Sequence, residues 1–114
     1  MTGKKEWPQG SIESLLLTMV FDRAMYGYQI IHELETRSDG YFKIKEGTLY
    51  PVLHRLECEG YIVGEWKSLD NGRQRKYYHI TRKGRAYLAV KRAEWRQLLA
   101  AVTMLTRIPL LDME

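Results

Sequence analysis

The stretch Glu46–Gly60, EGTLYPVLHRLECEG, restricts the fold more than any other part of the chain. Leu49, Val52, Leu53 and Leu56 recur at helical spacing and share one side, which predicts a short helix packed against a core. At about 100° per residue, Gly47, Pro51, His54 and Cys58 point the other way, with Thr48, Tyr50 and Arg55 on the flanks. Pro51 has no N–H to donate, which fits the first turn of a helix, so the helix is expected to begin near Gly47 or Thr48. Gly60 fits the C-terminal cap. The start of such a helix exposes a hydroxyl, a phenol, an imidazole and a guanidinium beside unpaired backbone N–H groups, a set suited to phosphates and base edges. An amphipathic surface helix that binds nothing carries the same pattern, so the flanking segments must decide.

Upstream, Ser11 is an N-cap candidate, and Ile12, Leu15, Leu16, Met19 and Val20 repeat at helical spacing to about Arg23. Leu17 and Phe21 widen the apolar face, which predicts a helix wedged between neighbours. Ala24–Gly27 reads as a connection and Tyr28–Thr36 as a second helix with Ile31 and Leu34 inward and Tyr28 beside them. Ser38-Asp39-Gly40 is a turn cluster, and Tyr41–Ile44 leaves room for no more than a β-bridge. Two helices joined by a turn, the second exposing polar residues at its start, follow the helix-turn-helix plan. On that plan Tyr28, Gln29, Lys43 and Lys45 flank a phosphate strand, while Thr48, Tyr50 and Pro51, with His54 one turn along, meet the backbone or base edges. Arg55 is placed to read guanine, to clamp a phosphate, or to pair with Glu59 at i+4.

After Gly60 the period changes from helical to alternating. Tyr61–Lys67 and Arg75–Thr81 are rich in β-branched and aromatic residues, with Ile62 and Trp66 on one face and Lys76, Tyr78 and Ile80 on one face. Asn71-Gly72 between them is a hairpin turn signal, since both residues tolerate positive φ. The hairpin carries Lys67, Arg73, Arg75 and Lys76 near its tip. Directly after a recognition helix, such a hairpin has the position of a wing, and Arg73, Arg75 and Lys76 become candidate DNA contacts.

Thr81 is placed to cap a long last helix, about Arg82 to Arg107, with Pro109 beyond its end. At 1.5 Å per residue it is roughly 40 Å long, more than a small domain needs. Leu88, Trp95 and Val102 are spaced by seven, as are Leu98 and Leu105, and Leu99 broadens the stripe; Lys91 interrupts it. The stripe has two possible partners, a second copy of the chain and the apolar first helix of the same chain, and one does not exclude the other. Trp95 in mid-stripe is either an interface anchor or one wall of a cavity between two subunits.

The expected fold is therefore mainly α with a small β-hairpin: an N-terminal tail (1–10), a winged helix-turn-helix (11–81), a C-terminal dimerisation helix (82–108) and a short tail (109–114). Trp7 stands out in its tail as a large apolar residue that needs a surface to pack on. With 114 residues, one domain is expected. Eighteen Lys and Arg against 14 Asp and Glu leave a net charge of +4, which permits a nucleic-acid partner without demanding one. The single cysteine, Cys58, excludes an intramolecular disulfide, and no basic neighbour marks it as reactive. Met1–Pro8 is polar and no apolar run is long enough for a bilayer, so a cytoplasmic protein is expected. His32, His54 and His79 match no metal-ligand spacing, and no phosphate loop, nucleophile elbow or paired-carboxylate site is present. Neither metal, cofactor nor catalytic residue is expected.

GTLYPVLHRLECEGYI, followed by RQRKYYHIT and KG and preceded by YGYQI, resembles the PadR-like transcriptional regulators over about Ile12 to Leu105. One position departs: Gln74 stands where that family usually has a second basic residue before KYY. The resemblance implies a winged helix-turn-helix homodimer that represses genes from a palindromic operator in double-stranded DNA, in the short subfamily with one C-terminal helix. Some members of that family sandwich a planar aromatic effector at a tryptophan in this place, so the resemblance makes Trp95, with Leu88, Leu98, Leu99 and Val102, either an effector site or part of the dimer interface.

Overall fold

The computed structural model describes residues 10–109, so Trp7 and most of both tails lie outside the described residues. α1 (Ser11–Met19), α2 (Gly27–Arg37) and α3 (Glu46–Cys58) are followed by β1 (Ile62–Ser68), β2 (Gln74–Ile80) and α4 (Arg82–Thr106). The chain is thus mainly helical with one antiparallel hairpin, as the periodicities predict. One side of each early helix meets in the core: Leu16 and Leu17 of α1, Ile30 and Leu34 of α2, and Leu49, Val52, Leu53 and Leu56 of α3 are all at most 5% exposed.

α3 begins at Glu46, slightly earlier than expected, and Pro51 consequently sits in its second turn rather than its first. An interior proline costs a helix about 3 kcal/mol or more. Four buried aliphatic side chains on the opposite face, each contributing roughly 1.5–3 kcal/mol, outweigh that. The carbonyl deprived of its usual partner belongs to Gly47, which is exposed and open to water. At the other end Gly60, with φ of +83°, allows Gly60 N–H to bond Glu57 O at 3.0 Å and Tyr61 N–H to bond Leu56 O at 2.9 Å. That paired cap stops α3 abruptly and launches the chain into β1.

α1 departs from expectation at both ends. Gly10, not Ser11, is the N-cap, and Ser11 is the first helical residue and is buried. The helix stops at Met19 although the apolar run continues, because the next residues serve another element. Met25 exchanges both backbone hydrogen bonds with Tyr78, at 3.2 and 2.8 Å, and so forms a one-residue third strand on β2. The β-bridge therefore falls at Met25 and not at Tyr41–Ile44, where Phe42 and Ile44 instead pack against the core.

β1 and β2 pair from Ile62↔Ile80 to Ser68↔Gln74. Ile62 and Tyr78 are buried at the base, whereas Trp66, on the same face, is 61% exposed because the strands run past the edge of the core. The turn differs from the expected one: only Gly72 has positive φ, +85°. Asn71 acts through its side chain, whose Oδ1 accepts Arg73 N–H at 3.0 Å. Gly72 N–H reaches Leu69 O at 3.0 Å and Leu69 N–H reaches Arg73 O at 2.7 Å, a three-residue loop closed by a left-handed glycine.

Thr81 caps α4 as expected, its Oγ1 accepting Gly84 N–H at 3.0 Å. The first half of α4 packs on α1. Leu88 is 2% exposed, and Trp95 donates its Nε1–H to Ser14 Oγ at 3.3 Å. From Leu98 onward no α4 residue is buried; Leu98, Leu99 and Val102 are 41–45% exposed and Leu105 84%. Among the described residues, no helix is long and apolar enough to cross a membrane.

Candidate nucleic-acid interface

The outer face of α3 carries Gly47, Thr48, Tyr50, Pro51, His54, Arg55 and Cys58, all exposed. Lys45 is the N-cap, and its carbonyl accepts from both Thr48 N–H and Leu49 N–H at 2.9 Å. The earlier N–H groups of the first turn point outward, at the positive end of the helix dipole. Tyr50 leans toward the start of α2, where its hydroxyl lies directly beneath Gly27. A Cβ at Gly27 would collide with that hydroxyl, so the glycine sets how closely the ring can approach. Burial, then the charge of Glu46, pushes the Tyr50 phenol up. Tyr28 is 63% exposed rather than turned inward, and Glu46 beside it pushes its phenol up, through hydrogen bonding first and charge second. The starts of α2 and α3 are thereby tied through Tyr28, Tyr50 and Glu46.

A cleft of about 610 Å³ opens between these helix starts and the hairpin, with Tyr28, Tyr50, Trp66, Arg73 and Arg75 among its walls. Arg75 lies with its guanidinium 3.9 Å from the Tyr26 ring centroid. Tyr26 meets Tyr77 edge-on at 5.5 Å, and Lys67 Nζ is 5.1 Å from the Tyr77 centroid. This ladder holds two cations on the wing without neutralising either, since rings attract charge through their quadrupole. Arg73 at the tip, and Lys43 and Lys45 ahead of α3, are exposed and form no ion pair among the described residues.

Three expected contacts are already engaged. Arg55 pairs with Glu13 of α1 at 2.7 Å, rather than with Glu59. Lys76 pairs with Glu57 of α3 at 3.0 Å. Gln29 turns its amide oxygen back to cap Tyr26 N–H at 3.2 Å. His54 and Cys58 stand one turn apart with Nε2 and Sγ 3.6 Å from each other. Among the described residues, no group of three or more His, Cys, Asp or Glu side chains is gathered to hold a metal. Sequence reasoning missed Tyr26, Glu46, Glu57 and Trp66. Alternation did put Trp66 on the face of Ile62, but the point where the strand leaves the core carries no local signal.

A separate groove of about 440 Å³ lies between α1 and α4. Leu15, Phe42, Leu88, Trp95 and Leu99 form apolar walls and Arg92 and Arg96 its rim. Leu88 and Trp95 therefore face their own α1, Leu99 edges the groove, and Leu98 and Val102 remain open.

Comparison with known proteins agrees with this architecture. The sequence model of the PadR-like transcriptional regulator family matches residues 16–90. The chain is 33% identical to the transcriptional regulator Rv3488 of Mycobacterium tuberculosis, over 86% of this chain and 88% of that protein. It is 38% identical to an uncharacterized protein of Lysinibacillus sphaericus, over 79% and 83%. The crystal structure of a PadR-like transcriptional regulator of Bacillus cereus superposes with a TM-score of 0.75 at 31% identity, over 89% of this chain and 96% of that one. A PadR family regulator of Clostridium difficile gives 0.73 at 30%, over 85% and 99%. The family comprises regulators of transcription, not enzymes. With two-thirds of its length matched and its fold shared, this chain belongs to the PadR-like family of transcriptional regulators.

Proposed function

We propose that the chain is a sequence-specific repressor that binds a palindromic operator as a homodimer and is released by a small-molecule or stress signal. The observation that carries this reading is the convergence on one surface of the exposed α3 face, the α2 start and a hairpin with unneutralised cations. Thr48, Tyr50, Pro51 and His54 take the groove; Tyr28, Lys43 and Lys45 take the backbone beside it; Arg73 and Arg75 reach it from the wing. Arg55 is an exposed pair with Glu13, worth at most about 1 kcal/mol, so a phosphate can displace that partner. Leu98, Leu99 and Val102 supply the face for the second copy. The apolar groove at Trp95 supports the signal: a flat aromatic ligand seated there would press on both α1 and α4.

The test is binding to the DNA upstream of the chain's own gene against random duplex, over a salt series, followed by footprinting. A protected two-fold sequence is expected, with a steep fall in affinity as salt rises. The double variant Arg73→Ala/Arg75→Ala should weaken binding to every sequence and flatten the salt slope by roughly 2 per subunit, about 0.9 for each lost phosphate contact. Equal affinity for both DNAs would leave a protein-binding module as the better reading.

A further inference from the structure

We infer that Glu57 is a positioning residue for DNA recognition: by bracing Lys76 and Gly64 of the hairpin against α3, it sets the span between the α3 face and the wing tip. This rests on the DNA-binding reading above. Glu57 lies near the end of α3. Its Oε1 accepts from Lys76 Nζ of β2 at 3.0 Å, and its Oε2 accepts from Gly64 N–H of β1 at 3.1 Å. One carboxylate thus holds both strands. Among the described residues it makes the only ion pair between α3 and the hairpin.

The rest of the brace fits around it. The Lys76 ammonium stands 5.8 Å from the Trp66 ring centroid and 5.4 Å from that of Tyr78, so rings flank the cation that the carboxylate neutralises. The Lys76 stem reaches Glu57 by crossing Gly64, where any Cβ would collide with Lys76 Cε and crowd Glu57 Oε2. Lys76 is therefore a structural cation, unlike Arg73 and Arg75. Gly72 at the tip is four residues beyond it along β2 and the turn, roughly 13 Å at 3.3 Å per residue. A tilt of about 10° at the brace would carry the tip roughly 2 Å, beyond the range of a hydrogen bond to a fixed phosphate.

Charge and positioning predict opposite signs. Removing a carboxylate from a DNA-facing surface, by charge alone, strengthens binding to any duplex. If Glu57 positions the wing, Glu57→Gln instead lowers the ratio of operator to random-duplex affinity, on the order of tenfold, while random binding stays equal or rises. Gly64→Ala displaces Lys76 with no change of charge and should lower the ratio similarly. Lys76→Met should lower it without altering the salt slope. The swap Glu57→Lys/Lys76→Glu should recover part of the ratio that either half of it alone loses, since it restores the ion pair but leaves Gly64 N–H without its acceptor. Exchange of the Gly64 amide proton, followed without DNA, should quicken in Glu57→Ala, which removes its acceptor, relative to wild type.

A wild-type ratio kept by both Glu57→Gln and Gly64→Ala overturns this inference alone. So does a salt slope reduced by about 1 in Lys76→Met, which would put that ammonium on a phosphate. Wild-type protein that binds operator and random duplex alike ends the DNA reading and this inference with it.

Discussion

Tyr50 and Gly27 show how one side chain is aimed by a residue far from it in sequence. The phenol hydroxyl rests where a Cβ of residue 27 would be, and two further ring atoms lie within 3.1 Å of that position. Gly27→Ala must therefore rotate the ring or part α2 from α3. We expect a loss of stability of about 1–3 kcal/mol, as for overpacking elsewhere. Operator affinity should fall by more than random-duplex affinity, as read by urea unfolding and by titration of both DNAs. Adding Tyr50→Phe removes the clashing oxygen and should recover part of the stability. Tyr50 was legible in the sequence from helical spacing alone. Gly27 was not, because its role is a distance between two helices. Arg55 marks the same boundary: spacing offered Glu59 one turn away, yet the guanidinium pairs with Glu13, 42 residues earlier. Nothing local to Arg55 encodes that packing of α1 on α3.

Elements were more legible than their joints. α2, β1 and β2 lie within a residue or so of the spans read from periodicity, since their sequences alternate or repeat with the period of the element they form. The misreadings fall where a segment answers to something non-local: the end of α1, where the apolar run goes on to supply Met25 to the hairpin, and the start of α3, where core burial overrides Pro51. The contact between α3 and the wing is also such a joint, and it has a pH signature. The Lys76 hydrogen bond first, then the Gly64 N–H and the charges of Lys76 and His54, hold the Glu57 carboxyl below its usual range, against a burial that raises it. A carboxyl depressed on folding contributes stability that is fully present above its unfolded pKa. That contribution is lost as pH falls through the folded value. Urea unfolding between neutral and acid pH should therefore show a loss of stability on acidification that is shallower in Glu57→Gln. Parallel curves for the two proteins would mean that the carboxylate is not preferentially stabilised in the folded state.

At the scale of the whole molecule, α4 is packed on α1 along its first half and open along its second. Leu88 and Trp95 spend their side of the helix on α1, and Leu98, Leu99, Val102 and Leu105 continue that side into open solvent. Each fully buried aliphatic side chain contributes roughly 1.5–3 kcal/mol. A two-fold contact would bury every one of these twice, enough for a dimer once the cost of association is met. Since none of them is buried within the subunit, Leu98→Asp/Val102→Asp should leave each subunit folded and separate the pair. Val90→Asp is the control: residue 90 is also exposed but lies off this stripe. Sedimentation velocity should show a dimer for the wild type and for Val90→Asp, and a monomer with near-native thermal unfolding for the double variant. Operator binding should then fall by about 10² or more, because a second α3 is no longer held at high effective concentration beside the other half-site. A double variant that stays dimeric would move the interface to another face and leave the exposed stripe without a role in spacing the two α3 helices.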